Sequence, residues 1–196
     1  MSGPGKTQKT LLIILASVVG VALVCALGWG MLIGWTADTE ARDAQRGLTG
    51  EHIAAFYEAP EWGDGTLEVV RTRYLDGSYD VTVDYEWEES VLTSSLYSVE
   101  RSSSDAFSVY GGLLLTGPLM KTMAEIELQD RDDLFDWGNN SSSKVILVDG
   151  EPTGHVIVGR KGKVAFMVTL FGIYEDDAQR LEALLQPMLD SAQRDG

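Results

Sequence analysis

Between Leu11 and Trp35 the chain runs for 25 residues without a charged side chain, and Lys6 and Lys9 stand just ahead of that run. No other feature limits the architecture as strongly. A helix that crosses the hydrocarbon core of a bilayer needs about 20 apolar residues at roughly 1.5 Å each. The run exceeds that length. It divides the chain into a cytoplasmic tail (1–10), a transmembrane helix (11–35), a juxtamembrane helical segment (36–62) and an exported domain (63–196). The lysines before the run, set against Asp38, Glu40, Arg42 and Asp43 after it, place the amino terminus in the cytoplasm and the domain outside. Trp29 and Trp35 fall where an outer aromatic belt lies.

A cleaved signal peptide has an apolar core of about 7–15 residues ending at a small-x-small site. Here the core is longer, and no Ala-x-Ala follows Trp35. Lipid attachment at Cys25 is disfavoured by Val24, which occupies the place where a small residue is wanted. Ala22, Ala26, Gly30 and Gly34 recur every four residues. Small residues at that spacing let helix backbones approach closely in lipid, so these four are the candidates for packing against a second copy or another subunit.

The formal charge of the whole chain is −15. The first 35 residues hold two lysines and no acid, so the remainder carries 13 basic and 30 acidic residues, a net −17. A domain with that balance is repelled by nucleic acid, which excludes it as a partner, and by anionic lipid headgroups. Basic proteins or cations suit it. The single cysteine, Cys25, lies inside the apolar run, so the exported part has no disulfide, no thiolate metal site and no thiol nucleophile. Its core alone must hold it, and about 160 residues suffice for that.

Residues 36–57 read as two short helices broken at Gly47–Gly50. Tyr79, Val81, Val83, Tyr85 and Trp87 then alternate with polar residues, the period of a strand with one wet face. Taking Asp76-Gly77 as a two-residue hairpin loop pairs Arg73 with Asp80 and Val70 with Val83. Val91–Val99 predicts a third strand. Ser102 with Asp105 predicts a helix start, and Gly111-Gly112 with Pro118 predicts a break near Thr116-Gly117. A short strand near Ile126 follows. Val145–Val148, His155–Gly159 and Val164–Phe171 predict three more strands, the last two apolar on both faces and joined around Lys161-Gly162. A final helix capped by Asp176 or Asp177 presents Leu181, Leu184, Leu185, Met188 and Ala192 inward, with a kink or early end at Pro187. The fold class is α+β: one domain with a mainly antiparallel sheet of about six to seven strands packed by helices.

Residues that carry chemistry are sparse. His52 and His155 are the only histidines, and neither stands near a Gly-x-Ser-x-Gly nucleophile. No zinc spacing is present and no phosphate-binding glycine loop opens a helix, so no catalytic residue and no cofactor is assigned. The densest oxygen cluster is Asp130, Asp132, Asp133 and Asp136. Calcium takes six to eight oxygens from such loops, yet Phe135 stands where an EF-hand loop needs glycine. Phe135 and Trp137, set among those acids, are the candidate partner anchor if exposed and part of the core if not. Asn139 and Asn140 each begin a glycosylation sequon. These features predict a single-pass membrane protein with an extracytoplasmic, non-catalytic domain that binds or assembles with other envelope or membrane proteins. A carboxylate-based hydrolase and a calcium- or ligand-binding sensor are the alternatives.

Overall fold

The computed structural model describes residues 34–88, 91–115 and 126–196. The run up to residue 33 lies outside them, as does the helix break expected near Thr116. Among the described residues there are eight strands: β1 (Trp35–Ala37), β2 (Thr66–Arg73), β3 (Tyr79–Trp87), β4 (Val91–Val99), β5 (Glu127–Asp130), β6 (Asn140–Val148), β7 (Glu151–Lys161) and β8 (Val164–Phe171). They form one sheet in the order β1-β2-β3-β4-β8-β7-β6-β5, and all neighbours are antiparallel. Two meanders, β1 to β4 and β5 to β8, thus meet at the β4–β8 pair. Helices α1 (Gly50–Tyr57), α2 (Ser103–Leu114) and α3 (Ala178–Asp195) complete an α+β fold dominated by its sheet.

The helices cover opposite faces. Val81, Val83, Tyr97, Phe166 and Val168 pack on one side with Ile53 of α1 and with Leu181, Leu184, Leu185 and Met188 of α3. Leu96, Val156, Val158, Ala165 and Met167 pack on the other with Tyr110 and Leu113 of α2. Every residue from Val164 to Leu170 is buried, as strands apolar on both faces require. In β3, buried Val81, Val83 and Tyr85 alternate with half-buried Thr82 and Asp84.

The eighth strand is β1, whose residues the sequence pattern assigns to the end of the membrane helix and the start of the juxtamembrane one. Trp35, Thr36 and Ala37 pair with Arg73, Thr72 and Arg71. Backbone partners on the β2 edge outweigh any local helical preference there. The juxtamembrane segment is helical only from Asp43, as a 3-10 turn to Arg46 and then α1 capped by Thr49.

Both hairpins differ in register from the simplest reading. The β2–β3 loop has one residue more: Gly77 donates to the Tyr74 carbonyl, Tyr74 donates to that of Ser78, and Gly77 has φ +93°. This is a type I turn closed by a glycine bulge. Arg73 therefore faces Tyr79, Arg71 faces Val81 and Val69 faces Val83. The slip turns Arg71 toward the core side of β2. The β7–β8 loop is Gly162-Lys163 where the sequence predicts Lys161-Gly162, which pairs Ile157 with Val168 in place of the expected Phe166. That slip is two residues, so each side chain keeps its expected face.

Helix α2 continues through Gly111 and Gly112 to Leu114. Helix α3 starts at its Asp177 cap and passes Pro187 without ending. The carbonyl that Pro187 leaves unpaired belongs to Ala183, which is exposed and open to water.

Candidate functional site

Antiparallel strands sort the loops to two ends of the sheet. The end far from Trp35 carries the 3-10 turn Pro60–Asp64, the β3–β4 turn and the β6–β7 turn. A groove of about 450 Å³ opens there, lined by Glu61, Asp64, Gly65, Thr66, Glu86, Trp87 and Glu88. Helix α1 ends at Glu58 with φ 53°, and Pro60 then begins the turn that carries Glu61 and Asp64. Gly65 holds that turn against β3: its N–H donates to the Tyr85 hydroxyl at 3.0 Å, and Tyr85 donates to the Trp62 carbonyl. A Cβ at Gly65 would lie 2.3 Å from the Glu86 carbonyl oxygen, so only glycine permits this approach. Trp62 leans on Trp87 with ring centroids 6.0 Å apart. Four exposed carboxylates and the Trp87 ring, with no basic side chain among them, favour a cationic partner electrostatically.

The acidic loop is arranged differently from a metal site. Asp130 pairs with Lys144, and Asp133 with Arg131 at 2.8 Å. Asp132 accepts from the Ser143 N–H at 3.0 Å and the Ser142 hydroxyl at 3.1 Å. Asp136 is exposed. Among the described residues no group of three or more His, Cys, Asp or Glu is placed to hold a metal. Phe135 and Trp137 are buried, 3% and 9% exposed, and their rings pack on Phe166 at 6.5 and 5.5 Å. They are core residues and not an exposed anchor, because the loop before β6 folds back, tied to Ser141, and lays both rings in the cluster on the α3 side of the sheet. Asn139 accepts from the Gly162 N–H, and Asn140 from Arg160.

Both histidines are engaged in the structure. The His52 Nε2–H donates to the Leu184 carbonyl at 2.7 Å, tying α1 to α3. His155 is fully buried and stacked on Tyr174 at 5.2 Å, and its Nε2 accepts from the Glu175 N–H at 3.0 Å. Burial lowers its pKa to about 4, so the ring is neutral and its proton sits on Nδ1, which has no hydrogen-bond partner. The Arg180 guanidinium, bonded through two nitrogens, holds the Glu175 carboxyl below its usual range.

The sequence reading missed a buried ionic cluster. Asp43, Arg46 and Arg71 are 0%, 1% and 3% exposed. Arg46 pairs with Asp43 and reaches Asp195 at 2.8 Å, while Arg71 contacts Asp43 at 3.1 Å and Glu40 at 2.8 Å. The Tyr79 ring lies 4.2 Å from the Arg71 guanidinium carbon. The cluster fixes the segment after β1 against the sheet and α3.

Of the four small residues proposed for helix packing, Ala22, Ala26 and Gly30 lie outside the described residues. Gly34 is exposed beside Tyr74, whose ring a Cβ there would meet at 2.9 Å. No helix among the described residues is long and apolar enough to cross a membrane. The fold and groove define an antiparallel α+β domain with helices on both faces and an acidic far end. Comparison with protein-family models, with curated proteins and with solved structures found no match.

Proposed function

We propose that this chain is a single-pass membrane protein, amino terminus cytoplasmic, whose extracytoplasmic domain binds or assembles with other membrane or envelope proteins and catalyses no reaction. The observation that carries this reading is the junction at Trp35. The uncharged run leads directly into β1, so the domain is mounted on its anchor without a linker. Leu11 to Ile33 still supplies 23 uncharged residues, about 35 Å as a helix, enough to span the bilayer. The partner's contacting surface is basic, complementing the carboxylates of the Glu61–Glu88 groove. Ala22, Ala26 and Gly30 add a helix face for the same assembly.

The structural commitments of His52, His155 and the Asp130–Asp133 carboxylates support binding over the hydrolase and sensor readings. The test is extraction of the natively expressed, tagged protein in mild detergent, followed by native gel and mass spectrometry of co-migrating chains. A stoichiometric larger complex, dissolved by Glu86→Lys with Glu88→Lys, is expected. A lone monomer or homodimer would overturn the reading.

A further inference from the structure

Strand β1 covers only part of the edge that it joins. It pairs with Arg71, Thr72 and Arg73 and ends at Ala37, opposite Arg71. Strand β2 begins at Thr66, so residues 66–70 have β3 on one side and no strand on the other among the described residues. The hairpin closure fixes which backbone groups are left over. Tyr74 donates to Ser78 and accepts from Gly77, so its N–H and C=O both point to β3. Successive residues of an antiparallel strand alternate in this respect. Thr72, Val70, Glu68 and Thr66 therefore bond β3, while Arg73, Arg71, Val69 and Leu67 point outward. Strand β1 takes Arg73 and Arg71. The N–H and C=O of Leu67 and Val69 face outward with no backbone partner among the described residues.

The side chains of this edge sort by face. Leu67, 43% exposed, and Val69 lie on the α1 side, where Val69 packs on the core. Glu68 lies on the α2 side directly opposite Asp84, and Thr66 lies opposite Glu86. Like charges facing each other across a ladder destabilise it. Among the described residues Glu68, Asp84 and Glu86 form no ion pair. Asp84 Oδ1 is buried without a hydrogen-bond partner among them. Burial raises the Asp84 pKa, and the Glu68 charge adds to the rise. Thr66 and Glu86 also line the groove, so the open edge leads into it.

We infer that this edge takes an extended segment of a basic protein partner as an added strand. The segment's main chain bonds Leu67 and Val69, a Lys or Arg faces Glu68, and apolar residues lie beside Leu67 and Val69. Glu68 then occupies a non-hydrogen-bonded pair, where facing side chains come closest. The next residue on that face comes beside Thr66 at the groove, so the segment carries Lys or Arg at alternate positions. In strand addition the main chain supplies affinity and the alternating side chains supply specificity. An acidic residue on an open edge also discourages pairing between copies. A second copy is disfavoured further because each domain carries 13 basic and 30 acidic residues, a net −17. The inference rests on the reading of the domain as a binder of a basic partner, and the test separates the two.

The probe is a dye-labelled peptide of alternating lysine and valine, added to the full chain in mild detergent. Fluorescence anisotropy reads binding, and amide hydrogen exchange reads where it occurs. Strand addition predicts binding that slows exchange at Leu67 and Val69. N-methylation of the peptide's valine amides, which face the edge, keeps its charge and should weaken it about tenfold or more. Val69→Pro should weaken it similarly without unfolding the domain, because the lost N–H faces outward and β3 loses no bond; the melting temperature checks this. Glu68→Lys should weaken it too. Equal binding of the methylated and unmethylated peptides overturns strand addition and leaves the groove's charge as the whole attraction. No binding of either peptide, while the native complex forms and is dissolved by Glu86→Lys with Glu88→Lys, overturns the edge alone. Exchange at Leu67 and Val69 that slows with protein concentration in the absence of peptide gives the edge to a second copy and overturns the inference. Absence of the native complex overturns the binding reading and the added strand together.

Discussion

Arg46 and Asp195, 149 positions apart, are joined by hydrogen bonds of 2.8 and 3.1 Å from two guanidinium nitrogens to one carboxylate oxygen. The bond ties the segment after β1 to the last turn of α3, and through Asp43 it reaches Arg71 on β2. Burial of these charges is costly, and their mutual pairing is what offsets it. Arg46→Ala leaves the fully buried Asp43 with Arg71 as its remaining cation beside the Glu40 N–H, and a loss of about 3–5 kcal/mol is expected. Urea unfolding of the wild type and the variant measures it. A loss within about 0.5 kcal/mol, the range of ordinary surface substitutions, would mean the cluster is solvated.

Stability should depend on pH through His155. The unfolded ring takes up its proton near 6.5 and the folded one only at about 4. Between those values the unfolded state holds more protons, so stability falls as the pH drops from 6.5 to 4. The full effect approaches about 3 kcal/mol at 1.36 kcal/mol per pH unit. Glu175, whose carboxyl is lowered by Arg180, adds a loss in the same direction as the pH falls through its depressed pKa. Melting curves across this range should therefore slope more steeply for the wild type than for His155→Gln. Parallel slopes would show that His155 is not the titrating group.

Glycines at two positions should respond oppositely to alanine. A Cβ at Gly154 would lie 2.0 Å from the Leu170 carbonyl oxygen, which is backbone and cannot rotate away. Gly154→Ala should cost about 1–3 kcal/mol, as overpacked sites do. Gly111 in α2 has nothing within 4 Å among the described residues. Gly111→Ala should stabilise by about 0.5–1 kcal/mol through helix propensity. Thermal melts of both variants check the pair, and the same sign for both would contradict the account.

The acidic loop should behave as structure. Trp137→Ala removes a buried indole from Phe166 and should cost about 3–5 kcal/mol in urea unfolding. Calcium should leave the melting temperature of the wild type unchanged, since Asp130, Asp132 and Asp133 already have partners. A calcium-dependent rise would favour the sensor reading.

Much of the sheet was legible because period-two patterning reports a strand with one wet face, as in β3, and a short continuous apolar run reports one covered on both faces, as in β8. Hairpin loops were read less well. A two-residue Asp-Gly loop fits the residues as well as a glycine bulge does until the side chain of Asp76 bonds Ser78, a preference no periodicity records. Strand β1 was hidden because its three residues continue an apolar run that lipid accounts for equally well. The Asp43–Arg46–Arg71 cluster was illegible for a different reason. Charged residues in a sequence read as solvated, and only the tertiary fold shows that their partners lie on β2 and on α3. Phe135 and Trp137 carried both possibilities, and packing on Phe166 chose the core. The groove drew its residues from the α1–β2 turn and the end of β3, which only the sheet brings together.

The central claim is a domain mounted directly on a membrane-spanning run, and it is tested most directly by alkaline carbonate extraction with protease added to sealed, right-side-out membranes. The account predicts that the full chain stays in the membrane pellet and that external protease removes an epitope at the carboxyl terminus while sparing one at the amino terminus. Release of the intact chain into the supernatant, or protection of the carboxyl-terminal epitope, would contradict it.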